Sequence, residues 1–142
     1  MRRENEFHEV YISIAFNIAR LSRSKRRKVG ALLVKDKNII SFGYNGTPAG
    51  FANECEDEDG RTLDSVLHAE SNAITKAAKS EISTKGAVLY LTFSPCYACS
   101  KLIIQSGIKA VYYADEHSCT RGLELLRQTD ITVIKLEEEP LI

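Results

Sequence analysis

Two short stretches carry residues able to do chemistry together. One is His68-Ala69-Glu70. The other is Pro95-Cys96-Tyr97-Ala98-Cys99. Cysteines at i and i+3 share one face at a helix start, where the positive end of the helix dipole lowers thiol pKa and favours a metal ion. His68, Cys96 and Cys99 make three protein ligands, the open pattern of catalytic rather than structural zinc, with water in the fourth position. Such an ion is a Lewis acid and brings the pKa of its water towards about 7. Glu70, two residues after His68, does not share its face. It sits beside the ion, where a carboxylate takes and delivers a proton. Each half alone is weaker: C-x-x-C also serves as a structural knuckle or a redox pair, and H-x-E alone says little.

The surrounding pattern supplies elements to hold these residues. Phe7, Val10, Tyr11, Ile14, Ile18 and Leu21 recur in steps of three and four and predict a helix, ending in the cationic run Arg23–Lys28, which suits a helix C-terminus. Val29–Val34 and Ile39–Tyr44, separated by the polar turn 35–38, predict an antiparallel hairpin. Asn45–Arg61 reads as a long surface loop with an acidic run over 53–59. Val66–Ala78 predicts a helix opened by the histidine motif. Ala87–Phe93 predicts a central strand, apolar on both faces. Helices over 96–106 and 120–128 then alternate with strands over 108–114 and 131–136, with Gly107 closing the first helix and 137–140 a solvated tail. Strands alternating with single helices imply right-handed parallel crossovers. The expected architecture is one α/β domain over 1–142, core 7–136: three α/β/α layers around a mixed five-stranded sheet.

The 142-residue chain has 19 Lys plus Arg against 19 Asp plus Glu. Zero net charge argues against a general nucleic-acid coat or a polybasic membrane binder. No run of about 18 apolar residues exists to span a bilayer. The start has no apolar stretch of signal-peptide type. With only Cys96 and Cys99 close together among Cys55, Cys96, Cys99 and Cys119, the cysteines read as metal or redox chemistry in a reducing cytoplasm.

Together the two motifs form the H-x-E…P-C-x-x-C signature of zinc deaminases. The wider sequence resembles deoxycytidylate (dCMP) deaminases from about Phe7 to Leu136. The resemblance is carried by Val29-Gly30-Ala31, by the G-Y-N-G-x-P-x-G stretch from Gly43 to Gly50, by His68–Ile74 and by Ser94–Lys109. It implies the cytidine-deaminase-like fold, one catalytic zinc, and hydrolysis of dCMP to dUMP and ammonia, supplying dUMP for thymidylate synthesis. Glu70 would move the proton to N3 of the base and then to the leaving amine. The Ala69 backbone N–H and Ser94 would contact the base, Asn45 the sugar, and Arg26 the phosphate, with Lys25, Arg27 and Lys28 facing water. Family members are often homohexamers switched by dCTP and dTTP, which places a possible effector loop at Gly43, Tyr44, Gly46 and Gly50. Members with a second, structural zinc have Cys where this chain has Ser24. Here the loop before His68 offers only Cys55, so a second zinc is not expected, and the acidic loop is either ordered some other way or mobile. Where members often carry a Tyr after the fourth strand, this chain has Glu116-His117-Ser118-Cys119. Base stacking from this side is therefore not expected: His117 reads first as a surface histidine and only second as a substitute for that ring, and Cys119 reads as a lone thiol. Alternatives are a deaminase of another free cytosine nucleotide or nucleoside (dCTP, cytidine) or an editor of polynucleotide cytosine or adenine. Few aromatics, 8% and no Trp, weigh against a strand-stacking channel. A non-catalytic zinc module has no use for Glu70.

Overall fold

Consecutive apolar residues in a strand point to opposite faces, so a continuous run needs cover on both sides. The computed structural model, described here for residues 2–136, provides it. The elements are α1 (Arg2–Ala19), β1 (Gly30–Lys35), β2 (Asn38–Tyr44), α2 (Ala69–Lys79), β3 (Val88–Phe93), α3 (Tyr97–Gln105), β4 (Ala110–Asp115), α4 (Arg121–Leu126) and β5 (Thr132–Lys135). The five strands form one sheet in the order β2-β1-β3-β4-β5. β1 is antiparallel to β2 and β3, while β3, β4 and β5 are parallel. The mixed sheet, the central β3 and the three layers agree with the sequence reading.

Alternation along β1 divides the core. Leu32 and Val34 join Tyr11, Ile12 and Ala15 of α1 on one face. Ala31 and Leu33 join Ala69, Ala73 and Ala77 of α2, Ile103 of α3 and Leu123 and Leu126 of α4 on the other. His8 fastens α1 through a 2.7 Å hydrogen bond between its Nδ1 and the Tyr90 hydroxyl. The β1–β2 turn places Asp36 and Lys37 at φ 50° and 65°, the left-handed pair that a two-residue hairpin favours.

Two glycines allow backbones to touch. A Cβ on Gly43 would collide with the Ala69 carbonyl oxygen and the Ala73 nitrogen, so β2 lies directly against α2. A Cβ on Gly122 would collide with the Pro95 carbonyl and the Cys96 backbone, so α4 lies directly against the turn that opens α3.

Two boundaries differ from the sequence reading. The first helix ends at Ala19, and Leu21, although in phase, lies in a turn beyond it, with no basic residue in the helix's last turn. The cationic run is therefore a separate segment rather than a helix terminus. The buried Ser22 donates to the Asn45 carbonyl at 2.8 Å and turns the chain away from the helix axis. Val66 and Leu67 precede α2, because Leu67 pairs with Gly46 in an antiparallel bridge. The acidic loop is ordered: Cys55 is buried, Glu56 bridges Thr62, and the Asp57 carboxylate accepts from the Asp59 and Arg61 amides at 2.9 Å each. The tail over 137–140 lies outside the described residues.

Candidate active site

Antiparallel pairing of β1 with β3 sets the start of β1 beside the end of β3, with Ala31 opposite Leu91. The Gly30 amide donates to Thr92 Oγ1 at 3.1 Å across this junction. The approach to β1, the exits of β3 and β4 and the starts of α2 and α3 therefore meet at one edge, the edge of an α/β sheet where ligands bind. A cleft of about 600 Å³ opens there.

Its floor carries both motifs. His68 is the N-cap of α2 and Cys96 the N-cap of α3. His68 Nδ1 lies 3.5 Å from Cys96 Sγ and 3.3 Å from Cys99 Sγ, and all three donor atoms fall within 4.8 Å of one another. A tetrahedral ion with bonds of about 2.3 Å to sulfur and about 2.0 Å to nitrogen needs S···N edges of about 3.5 Å. The donor set therefore fits zinc in type and spacing. The Ser71 hydroxyl lies 3.3 Å from Cys99 Sγ and steadies the third ligand. Without an ion the cluster shares protons unevenly. Hydrogen bonds with the Cys99 thiol and His68 hold Cys96 far below the ordinary thiol value. The same bond to Cys96, and burial, push Cys99 up. Hydrogen bonding to Cys96 raises His68.

Glu70 is 4% exposed. Burial pushes its carboxyl up to about 7, against the opposite pull of its own backbone amide and of His68. A group at that value both takes and gives a proton near neutral pH.

Above this floor stand residues from several separate segments of the chain. Ala69 and Ser94, read from the sequence as contacts to the base, line the cleft. Ser94 is held by its amide on the Asp115 carbonyl at 2.8 Å, and its hydroxyl accepts from the His117 amide at 2.7 Å. Arg26 lines the cleft, and so does Arg27, which the sequence reading turns to water. The Arg27 guanidinium lies over the Phe93 ring. The other pocket residue touching that ring is His117, 5.1 Å away between centroids. His117 is half-buried and lines the cleft, which corrects the reading of it as a surface histidine. Its Nδ1 accepts from the Cys119 amide at 3.0 Å, which leaves the proton of the neutral ring on Nε2. Cys119 is exposed, with its sulfur outside the metal cluster.

Asn45 lines the cleft but also holds its wall. Its Nδ2 donates to the Arg27 carbonyl at 2.8 Å and its Oδ1 accepts from the Val29 amide at 2.9 Å. Of the loop singled out in the sequence, Gly43 and Gly46 are buried in contacts with α2 and Leu67, the Tyr44 carbonyl accepts from Asn72, and Gly50 is exposed. Phe93 and Arg27 are not legible in the sequence as site residues; the aromatic position at the end of β3 is the only available cue.

Comparison with known proteins agrees with this geometry. Residues 5–115 match the family described as the cytidine and deoxycytidylate deaminase zinc-binding region. The deoxycytidylate deaminase of Mycobacterium phage D29 is 38% identical over 125 residues, covering 78% of this chain and 96% of that protein. ComE operon protein 2 of Bacillus subtilis is 38% identical over 141 residues, covering 96% and 74%. The dCMP deaminase of the cyanophage S-TIM5, solved in complex with dCMP and dUMP, superposes with a TM-score of 0.90 at 48% identity, covering 92% of this chain and 97% of that one. From its zinc-fitting donor set, its buried carboxylate and these likenesses, the chain belongs to the cytidine and deoxycytidylate deaminase family of zinc-binding enzymes.

Proposed function

We propose that this chain hydrolyses the 4-amino group of dCMP: water and dCMP give dUMP and ammonia. The observation that carries the reading is a buried Glu70 beside the His68, Cys96 and Cys99 donors, at the floor of a cleft lined also by Arg26 and Arg27. Zinc held by the three donors supplies Lewis-acid activation of water at the floor.

The protein's own residues do the rest. Glu70, dry and near neutral in affinity for its proton, takes the proton of the attacking water and delivers it to N3 of the base. A ring protonated at N3 is the better electrophile at C4. The same carboxyl then takes the proton of the new C4 hydroxyl and passes it to the departing amine, so ammonia leaves, the C4 carbonyl forms and the carboxylate is restored over the cycle. The Ala69 amide and Ser94 orient the base edge. Phe93 and His117 bound the cleft and exclude water. Arg26 and Arg27 meet the phosphate as charge-assisted donors. Asn45 holds the arginine segment against the start of β1 and borders the space for the sugar.

The same reading takes the chain as one deaminase domain working in the cytoplasm as a homohexamer, with dCTP and dTTP as effectors through the 43–50 loop. The family likeness supports these points. Among the described residues no helix is long and apolar enough to cross a membrane. Sedimentation with and without each nucleotide tests the assembly and effector points.

The deciding experiment offers the zinc-loaded protein dCMP, CMP, dCTP, deoxycytidine and a short single strand at equal concentration. Fastest turnover of dCMP is expected. Turnover of the strand alone would assign the cleft to polynucleotides.

A further inference from the structure

The Glu56 carboxylate sits where the sequence gives no reason to look. One of its oxygens, Oε2, accepts from the Ser24 hydroxyl at 2.8 Å, the Lys25 amide at 2.9 Å and the Arg26 amide at 3.2 Å. Ser24 Oγ in turn accepts from the Arg27 amide at 3.4 Å. Four consecutive residues are thus folded around a carboxylate that comes from 30 positions away, measured from Arg26. Successive backbone amides converging on an anion make a nest, and the carboxylate is its resident anion. The resemblance puts a second zinc in this region in other members. Here an acid does the tying.

Glu56 is itself anchored. It pairs with Thr62, the Asp57 amide donates to the Arg61 carbonyl at 2.8 Å, and the buried Cys55 accepts from the Leu63 amide at 2.8 Å. The turn it holds continues into Arg26 and Arg27. A guanidinium on a slack segment loses conformational entropy when it binds an anion. One on a tied segment has already lost part of it.

We propose that Glu56 is a positioning residue for the substrate phosphate: by folding 24–27 around its carboxylate it presents Arg26 and Arg27 to the cleft, and so sets affinity for the nucleotide without touching it. This rests on the reading that the substrate is a nucleoside monophosphate. The neighbouring Glu58, on the same loop, serves as the control for loop charge.

The test compares the zinc-loaded wild type with Glu56→Ala, Glu56→Gln, Ser24→Ala and Glu58→Ala. On dCMP, Glu56→Ala is expected to raise KM about tenfold with kcat within about twofold, and to leave kcat/KM for deoxycytidine within about twofold. Glu56→Gln, which keeps an acceptor oxygen, and Ser24→Ala, which removes one of three donors, should shift the dCMP KM in the same direction by less. Glu58→Ala should not shift it. A dCMP KM unchanged in Glu56→Ala, or raised equally by Glu58→Ala, overturns the proposal. So does an equal loss on deoxycytidine, which would make Glu56 a general prop. Hydrogen exchange at the Lys25 and Arg26 amides gives a reading independent of substrate. Exchange about tenfold faster in Glu56→Ala or Glu56→Gln is expected, and unchanged exchange sinks the hold itself. A wild type inert on dCMP but with those amides released by the variants would remove the substrate reading while leaving Glu56's hold on the segment standing.

Discussion

The Arg27 guanidinium lies 4.0 Å from the centre of the Phe93 ring. The contact fixes a cation at the cleft wall, where its donors can serve a phosphate. Arg27→Ala is therefore expected to raise the KM for dCMP about 10- to 100-fold, the loss of a charge-assisted contact, and to spare deoxycytidine. Arg27→Lys should recover only part of this, since an ammonium is neither planar nor forked. Steady-state kinetics on both substrates checks it.

Glu70→Gln keeps the volume of the side chain and its place in α2 but removes the proton carrier. Zinc content and melting temperature should stay near wild type while kcat falls by about 10²–10⁴. Metal analysis beside turnover separates the two effects. A variant that keeps its metal and its full rate would take Glu70 out of the chemistry.

Gly43→Ala places a methyl group against the Ala69 carbonyl and the Ala73 amide. Overpacking there should cost about 1–3 kcal/mol. It should also shift the start of α2, on which His68 and Glu70 ride. Thermal melts with and without dCTP and dTTP check it: a loss of stability equal under all three conditions marks Gly43 as a packing position.

Acid should loosen the arginine segment before the core. Partial burial would raise Glu56, but the Ser24 hydroxyl, the Lys25 and Arg26 amides and the Lys25 charge outweigh it and hold the carboxyl below its ordinary 4.5. A depressed carboxyl stabilises the fold fully above its unfolded value and loses that contribution as pH falls through the lower, folded one. The melting-temperature gap between wild type and Glu56→Gln should thus be flat from neutral pH down to about 5, and should close below about 4.5. A gap that instead opens towards acid would reverse the assignment.

Much of this was readable in advance, for physical reasons. β1 and β3 announce themselves because runs such as Ala31–Val34 and Leu89–Leu91 cannot be left in water. The metal donors are legible because C-x-x-C and H-x-E are fixed spacings at helix starts. What escaped lies in irregular chain, where no period reports direction. Leu21 continues the helical phase of α1, yet Ser22 finds the Asn45 carbonyl and the helix has already stopped. Arg27 and Lys28 are alike in sequence, and the Phe93 ring that Arg27 meets at the cleft comes from 66 positions downstream. Glu56 sits among five acidic residues over 54–59, and nothing local distinguishes it from Glu58. Its partners are some 30 positions upstream.

The missing side chain of Gly122 couples the end of the chain to the chemistry at its centre. Because α4 abuts the peptide units of Pro95 and Cys96, the final crossover braces the sulfur-bearing corner from behind. A lesion in that last helix, remote from any nucleotide, would first be felt as a weakened grip on the ion.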